Sequence, residues 1–334
     1  MTPILIASIG SYPRTGEEKD QQRFPRALGH FERNEISAHA LRDVEQSVTQ
    51  EVIREQIEAG VDEVTDGLLT WTDPISRFCR NISGVKYGGL TRYFDNNFYY
   101  RVPILPAKSK IQPPTGVELK FARESSHKPV RAIITGPLTL AHHARGAAKP
   151  LDKLAARIDF FADVLAPEVA SLAAQGAQVI QIDEPSLAAH PEDRALAEKA
   201  WAKLAAAKGA ATLGIAIYFG PSIPLLDSLK DLPFGLWQLD TTVEGPALLT
   251  KLAAASPKQI LGLGVVDGRT TRLEAAEAVA DAVQPLVEKA KAERLYLTPS
   301  SGLEFLPRRE AWAKLRRLVE ARRVLQLAAG AAHG

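Results

Sequence analysis

The sequence predicts an α/β protein and, within that class, a (β/α)8 TIM barrel. Eight short apolar segments alternate with helical segments, and several are the nearly continuous apolar runs typical of strands buried on both faces. No Gly-x-Gly-x-x-Gly follows the first strand, which argues against the alternative, a doubly wound sheet with a second small domain. The predicted strands are Ile4 to Ile9, Glu63 to Thr65, Val130 to Thr135, Gln178 to Ile182, Thr212 to Phe219, Leu236 to Leu239, Gln259 to Val266 and Arg294 to Thr298.

The segments between these strands have helical spacing. Apolar residues recur at intervals of three to five from Ser37 to Ala59, with Ser37 as the predicted N-cap and Gly60 as the C-terminal glycine. Three further helices are predicted: Leu154 to Leu172, a helix opened by a Thr271 and Glu274 capping box and continuing to Lys291, and Arg308 to Leu325.

One long segment, Trp71 to Lys128, breaks the alternation. Connections in such folds are about 2–6 residues long, so this segment is predicted to cover the barrel mouth or to form an antiparallel excursion. Residues 1–330, including this excursion at 71–128, are predicted to form a single TIM-barrel domain. Residues 331–334 are predicted to be a frayed tail.

Composition excludes several classes of protein. The chain has 334 residues, 46% of them hydrophobic, and lacks an uncharged apolar stretch long enough to span a membrane. Its net charge of +2 is too small to indicate nucleic-acid binding. Because Cys79 is the only cysteine, a disulfide within the chain and a Cys-based zinc site are both excluded. The start of the chain does not resemble a signal peptide, and a cytoplasmic location is expected.

Two adjacent carboxylates end the fourth predicted strand. Gln178 to Pro185 reads Gln-Val-Ile-Gln-Ile-Asp-Glu-Pro, so Asp183 and Glu184 stand where Pro185 stops the strand. The carboxyl ends of barrel strands carry the active sites of this fold, which makes this pair the first candidate site. Glu184 is a candidate for proton transfer.

Polar residues follow the other predicted strands as well. In a barrel these ends share one face, where five carboxylates, one guanidinium and several hydroxyls would suit a small zwitterionic ligand. The strand-end residues are Gly10, Ser11, Asp66, Gly136, Pro137, Thr139, Asp183, Glu184, Tyr218, Asp240, Thr241, Asp267, Arg269, Ser300 and Ser301.

Simpler interpretations exist for these features. A lone Asp at a strand end more often caps a helix than binds a ligand, although the Asp183 and Glu184 pair would repel unless a cation or a proton intervened. The aromatic segment Tyr93 to Tyr100 either packs within the excursion or stacks on a planar heteroaromatic ligand.

The chain resembles the cobalamin-independent methionine synthase family, two-barrel enzymes that transfer a methyl group from a folate to homocysteine. Motifs similar to those of its catalytic barrel are Ile9-Gly10-Ser11-Tyr12-Pro13, Gly136-Pro137-Leu138-Thr139 and Gln181-Ile182-Asp183-Glu184-Pro185. Motifs similar to its non-catalytic amino-terminal barrel are Tyr93 to Pro103, Tyr218-Phe219-Gly220, Leu263 to Arg269 and Thr298-Pro299-Ser300-Ser301.

The resemblance implies roles for individual residues. Ile9, Gly10 and Ser11 would hold an amino-acid carboxylate and Asp183 its ammonium. The other substrate-binding candidates are Asp66, Asp240, Arg269 and Ser301, the catalytic candidates are Glu184, Tyr218 and Asp267, and the folate-binding candidates are Arg14, Lys19, Tyr93, Asp95 and Asn97.

The departures from the family fall on its metal site. The family binds zinc through one His, two Cys and one Glu, and the matching positions hold Ala216, Tyr218, Ser301 and Asp240. Only Asp240 could ligate, so zinc is not expected. The family's proton-donating His matches Arg269, which hardly titrates, and the Glu that partners the homocysteine amine matches Leu68, unless Asp66 substitutes.

Two functions follow from this resemblance. The first is a stand-alone methyltransferase-like barrel with zinc-independent or altered chemistry on a small amino acid or thiol. Methyltetrahydrofolate would be its cosubstrate, with no tightly bound cofactor. The second is a non-catalytic subunit that binds a folate or a separate zinc-bearing barrel. Neither hypothesis involves nucleic acid or a membrane.

Overall fold

The computed structural model describes residues 2–80, 82–107, 110–112, 117–289 and 291–331. The strands are β1 (Ile4–Ile6), β2 (Lys86–Arg92), β3 (Tyr99–Leu105), β4 (Ala132–Thr135), β5 (Arg145–Gly146), β6 (Val179–Asp183), β7 (Thr212–Ile217), β8 (Leu236–Asp240), β9 (Ile260–Val266) and β10 (Leu295–Pro299). The helices are α1 (Arg23–Glu32), α2 (Ala38–Ala59), α3 (Ser76–Cys79), α4 (Val117–Glu124), α5 (Pro137–His143), α6 (Leu154–Ala174), α7 (Pro185–Ala189), α8 (Arg194–Ala207), α9 (Leu226–Leu229), α10 (Pro246–Ala255), α11 (Ala276–Lys289) and α12 (Arg308–Ala331).

The chain divides into two compact units. The first unit comprises Met1–Thr70, Glu118–Arg131 and Leu239–Gly334, and the second comprises Trp71–Val117 and Ala132–Gln238. The single domain over residues 1–330 stays a prediction. Of the predicted tail, residues 332–334 lie outside the described residues.

The first unit contains parallel strand pairs. β1 pairs with β10 and β10 with β9, all in parallel. Where the second strand was predicted, isolated parallel bridges join Ala7 to Glu63 and Val64 to Val130. This segment is therefore extended and parallel, but too short to form a continuous ladder.

Helix α2 has the predicted ends. The Ser37 hydroxyl accepts a hydrogen bond from the Ala40 N–H at 3.1 Å, and Gly60 ends the helix at φ +95°, a conformation that glycine adopts without steric cost. Val48, Val52 and Ile53 are fully buried on its inner side.

The predicted capping box at Thr271 and Glu274 is wrong, because α11 begins only at Ala276. The Glu274 carboxylate instead accepts hydrogen bonds from the Asp267 N–H at 2.9 Å and from the Lys314 ammonium at 2.8 Å. The Lys314 side chain is fully buried, so this ion pair compensates a charge that would otherwise be buried without a partner.

The second unit carries another parallel ladder. β4 pairs with β6 and β6 with β7, with Thr135 opposite Asp183 and Asp183 opposite Ala216. Every residue of β4 and β6 is buried, as expected for strands covered on both faces. The predicted α/β class with parallel strands is therefore confirmed.

The excursion forms an antiparallel hairpin in the second unit. β2 pairs with β3 in antiparallel fashion, and β3 pairs with β5 in parallel. A hydrogen bond from the Tyr93 N–H to the Phe98 carbonyl at 2.8 Å closes the turn. The excursion therefore contains an antiparallel strand pair, and its predicted position over the barrel mouth stays a prediction. No helix in the described ranges has the length and apolar character needed to cross a membrane.

Candidate functional site

Asp183 ends β6 with its carboxylate held in one orientation. The Tyr218 hydroxyl donates a hydrogen bond to Oδ2 at 3.0 Å, and the Gln181 side-chain amide donates to Oδ1 at 2.7 Å. Gln181 and Asp183 are two residues apart on a strand, so their side chains lie on the same face. The residue is only 8% exposed, and a buried, oriented carboxylate of this kind suits a cationic ligand group.

Glu184 is bonded very differently from its neighbour. Its side chain is fully buried, and Oε1 accepts hydrogen bonds from the Leu138 N–H at 3.0 Å and from the Trp201 indole N–H at 2.9 Å. Oε2 accepts from the Thr139 N–H at 2.8 Å and the Thr139 hydroxyl at 2.7 Å. Burial raises the pKa of this carboxyl group, and these hydrogen bonds lower it in part.

These contacts give Glu184 the position of a helix cap at the start of α5. A Cβ atom at Gly136 would lie 2.2 Å from the Glu184 carboxyl carbon, so only glycine fits beneath it. Glu184 was predicted to transfer protons, and its four hydrogen bonds favour a positioning role instead.

An aromatic cluster joins the hairpin turn to the end of β7. The rings of Phe94 and Phe219 lie 5.7 Å apart, and Phe94 also packs 4.9 Å from the ring of His143. Phe94 has φ +50° and Phe219 has φ +67°, values that are unfavourable for bulky side chains. Two strained residues in mutual contact beside Tyr218 mark this end of β7 as a candidate functional region.

The cluster is uncharged at neutral pH. Burial lowers the pKa of His143 to about 4, and burial raises the pKa of Tyr100 to about 12. The Tyr100 hydroxyl lies 2.7 Å from Nδ1 of His143, within hydrogen-bonding distance. Tyr93 is only 3% exposed and packs 5.1 Å from the same imidazole ring. The packing interpretation of the aromatic segment is therefore favoured over ligand stacking by Tyr93.

The other folate-binding candidates lie on the surface of their units. Asp95 is almost fully exposed and pairs with Arg92 at 3.1 Å, and Asn97 is exposed in the same turn. In the first unit, Lys19 is exposed and Arg14 is half-buried. Folate binding by these residues stays a prediction.

In the first unit, the turns after β1 and β10 are in close contact. A Cβ atom at Gly10 would lie 2.8 Å from the Cα atom of Gly302, so the two backbones touch. The Leu303 N–H donates to the Ser11 carbonyl at 2.7 Å, and the Thr65 hydroxyl donates to the Gly10 carbonyl at 2.8 Å. Gly10 and Ser11 are thus fixed by neighbours on two sides, while Ile9 is buried beneath them.

The remaining strand-end carboxylates of this unit bond to their own turns. Oδ1 of Asp66 accepts from the Leu68 N–H at 3.0 Å, and Leu68 has φ +51°. Oδ1 of Asp240 accepts from the Thr242 N–H at 2.9 Å, and Oδ1 of Asp267 accepts from the Arg269 N–H at 2.9 Å. Such turns are the ordinary use of aspartate after a strand.

Glu304 has a buried carboxyl group beside the candidate residue Ser11, and the sequence interpretation did not include it. It follows the Ser300, Ser301 and Gly302 turn, and burial raises the pKa of its carboxyl group while Ser11 and Arg14 lower it. A signal was available, because Glu304 lies three residues beyond Ser301, which was already among the candidates.

The residues at the family's zinc positions do not fit zinc. Ala216 has no donor atom, the Tyr218 hydroxyl bonds to Asp183, and the Ser301 hydroxyl donates to the Gly302 carbonyl at 3.3 Å. Structural and catalytic zinc sites need three or four His, Cys or carboxylate ligands, and Asp240 alone does not supply them.

A separate group of metal-ligating side chains lies in the second unit. Ligand atoms of His142, His190 and Asp193 lie within 4.8 Å of one another, and Nε2 of His142 is 3.0 Å from Asp193. The two imidazole rings are stacked, with centroids 4.1 Å apart and planes inclined by 6°. Their lone pairs lie in parallel planes and do not converge on one ion, so the contacts indicate a stacked His pair.

The chain belongs to the cobalamin-independent synthase family. The family described as "Cobalamin-independent synthase, Catalytic domain" matches residues 4–323. Methionine synthase from Pyrococcus horikoshii is 30% identical, covering 96% of this chain and 92% of the relative. Methionine synthase from Thermococcus kodakarensis is 28% identical, covering 95% and 92%.

Solved structures support the same fold. A B12-independent methionine synthase from Shewanella sp. W3-18-1, in complex with selenomethionine, superposes with a TM-score of 0.74 at 19% identity, covering 98% of both chains. A putative vitamin-B12 independent methionine synthase from Listeria monocytogenes gives 0.73 at 19% identity, covering 97% of this chain and 98% of the other. The predicted fold class and family resemblance are therefore confirmed.

Proposed function

We propose that this protein is a methyltransferase of the cobalamin-independent synthase family that acts on a small amine-bearing thiol or amino acid without the family's zinc. The observation that carries the proposal is the Asp183 carboxylate, buried at the end of β6 and oriented by Tyr218 and Gln181. Its motif is the one that holds an amino group in the family.

The contacts of Asp183 suit an ammonium ligand. A carboxylate that is buried and held in one orientation can accept hydrogen bonds from an ammonium group, and such charge-assisted hydrogen bonds are stronger than neutral ones. The relative from Shewanella was solved with selenomethionine, an amino acid with this group, which supports the same ligand class.

Because the residues at the family's zinc positions do not fit zinc, a thiol substrate would need another group to remove its proton. A free thiol has a pKa of about 8.5 and is mostly protonated at neutral pH. The thiol must lose its proton to a base, and the Asp267 carboxylate is our candidate for that base. Sulfur then bonds to the methyl carbon as that carbon's bond to the donor nitrogen breaks, and the nitrogen takes a proton from an O–H group, for which the Tyr218 hydroxyl is our candidate. A methylfolate is the proposed donor.

Calorimetry on the purified, metal-analysed protein tests the ligand class. We expect homocysteine or methionine to bind the wild-type protein, and Asp183→Asn to weaken binding by about 2 kcal/mol, the scale of losing a charged partner in a buried site. Asp163→Asn, an exposed change in the same unit, is the matched control. Equal affinity in wild type and Asp183→Asn would remove Asp183 from the site.

The alternative function is a non-catalytic subunit. It is supported by the candidate catalytic carboxylates, which accept hydrogen bonds from neighbouring groups of the protein. Glu184 has four hydrogen bonds within the protein, and Asp267 bonds to Arg269. A single-turnover assay with homocysteine and a labelled methylfolate separates the two functions. Transfer of label to sulfur by the protein alone supports the enzyme, whereas ligand binding without transfer supports the subunit.

A further inference from the structure

We propose that the groove between α3 and the β2–β3 hairpin, in the second unit, is a binding site for a small aromatic acid. This hairpin groove has a volume of about 430 Å³, within the range of about 300–1,000 Å³ that is usual for small-molecule sites. None of its residues is a candidate for the site at Asp183, so the inference goes beyond the proposed function. The side chains that determine its chemistry are Arg77, Arg80, Tyr87, Leu90, Tyr99 and Arg101.

A β-bulge in β2 brings two apolar side chains to one face of the hairpin. Tyr87 lies opposite Pro103 on β3. Leu90 lies opposite Arg101, so the two positions are three residues apart on β2 while their partners are two apart on β3. In a regular strand, residues three apart point to opposite faces, and the extra residue of the bulge therefore puts Tyr87 and Leu90 on the same face. Bulges often redirect side chains in this way beside a functional site.

The same face exposes large apolar and aromatic side chains. Leu90 is 64% exposed, Tyr99 is 56% exposed and Tyr87 is 43% exposed. Tyr99 lies two residues before Arg101 on β3, so it shares the face of Arg101 and Leu90. Exposed apolar side chains that are grouped on one surface mark binding sites, and tyrosine rings pack favourably on another aromatic ring.

The hairpin groove has more guanidinium groups than carboxylates. Arg80 and Arg101 are exposed, whereas Arg77 is buried and pairs with Glu168 at 3.5 Å. Among the described residues that line the groove, Asp73 is the only carboxylate, and it accepts two backbone hydrogen bonds at the start of α3. This excess of positive charge favours an anionic ligand, and guanidinium groups bind carboxylates through paired hydrogen bonds.

The aromatic face and the guanidinium groups together define the ligand class. The ring of an aromatic acid would pack against Tyr99 and Leu90, and its carboxylate would accept hydrogen bonds from Arg101. A free aromatic acid and the benzoyl-glutamate part of a folate share this chemistry.

Phenylacetate and its neutral amide, phenylacetamide, test the proposal by NMR titration. We expect wild type to bind phenylacetate about fivefold more tightly than phenylacetamide, the scale of a partly exposed ion pair. Arg101→Gln should remove most of this preference, and Arg101→Lys should restore part of it. Tyr99→Ala should weaken the binding of both compounds without changing their ratio. Lys86→Gln, the same loss of charge at an exposed position of β2 outside the groove, is the matched control.

N-(4-aminobenzoyl)-L-glutamate distinguishes the two sources of the ligand. Tighter binding than that of phenylacetate, lost in Arg101→Gln, supports the tail of a folate, whereas equal or weaker binding supports a free aromatic acid. Circular dichroism confirms that each variant is folded, as expected for changes at exposed positions.

Two results would overturn the proposal. The first is equal affinity of wild type for phenylacetate and phenylacetamide, or a ratio that Arg101→Gln leaves unchanged. The second is loss of phenylacetate binding in Asp183→Asn, because the acid would then bind at Asp183 and not in the hairpin groove. Failure of homocysteine and methionine to bind would count against the proposed function alone.

Discussion

Glu184 and Glu304 are two glutamates with buried carboxyl oxygens, one in each unit, with opposite surroundings. Burial raises the pKa of both. Glu184 accepts four hydrogen bonds from Leu138, Thr139 and Trp201, whereas the Glu304 carboxyl group has a side-chain hydrogen bond with Ser11. The first arrangement ties the helices α5 and α8 to the end of β6, and the second lies between the turns after β1 and β10.

This difference shows that burial and a raised pKa do not by themselves identify a functional carboxylate. The number of donors already directed at each oxygen distinguishes the two cases. Experiments on stability should therefore respond strongly to changes at Glu184 and weakly to changes at Glu304.

The largest effect is expected for Glu184→Ala. The substitution leaves the Leu138 and Thr139 N–H groups and the Trp201 indole N–H without partners, and buried groups of this kind cost about 1–3 kcal/mol each. We expect a loss of about 4 kcal/mol in the free energy of unfolding, measured by urea denaturation. Glu198→Ala on the exposed side of α8 is the control. A loss below about 1 kcal/mol would contradict the structural role of Glu184.

A smaller effect is expected for Trp201→Phe. It removes one of the two donors to Oε1 of Glu184 and leaves the Leu138 N–H in place. We expect a loss of about 2 kcal/mol in the same assay, combining one buried hydrogen bond and a small cavity. Trp312→Phe, at a partly exposed position on α12, should change stability by less than about 0.5 kcal/mol. Equal losses for both variants would show that ring size alone matters.

The smallest effect is expected for Glu304→Gln, and it should depend on pH. Because the folded protein holds this proton more tightly than the unfolded chain, stability falls as pH rises from about 4.5, the ordinary value, through the raised pKa. Glutamine removes that dependence. We therefore expect the variant to match wild type near pH 4 and to be more stable by about 1 kcal/mol near pH 8.

Urea denaturation at several pH values measures this difference. Glu277→Gln should follow the wild-type profile throughout, because Glu277 is exposed. A Glu304→Gln variant that is destabilised at every pH would show that the carboxylate has partners holding the fold together, which would remove the contrast with Glu184.

Much of the fold could be predicted because its signals are local. β9 is a continuous apolar run, the pattern of a strand buried on both faces, and the N-cap and the terminal glycine of α2 are both visible in the sequence. The start of α11 could not be predicted, because Glu274 bonds to Lys314, forty residues away, rather than to the helix. Tertiary contacts here outweigh the local capping pattern.

The candidate site was predictable only in part. Asp183 stands at a strand end followed by proline, and that position is visible in the sequence. The role of Glu184 depends on Trp201 and Thr139, which approach it from separate helices. The surroundings of Glu304 depend on the contact between Gly10 and Gly302, two residues that are far apart in the sequence. Neither arrangement produces a pattern of residues at fixed spacing in the sequence, so neither could be predicted from it.

The contact between Phe94 and Phe219 has a consequence for how this protein can change over evolutionary time. Each residue occupies a backbone conformation that a bulky side chain tolerates only while its surroundings hold it there. The hairpin turn and the end of β7 therefore depend on each other. Among relatives, we expect these two phenylalanines to be inherited or lost together, and insertions to accumulate in the hairpin away from its turn.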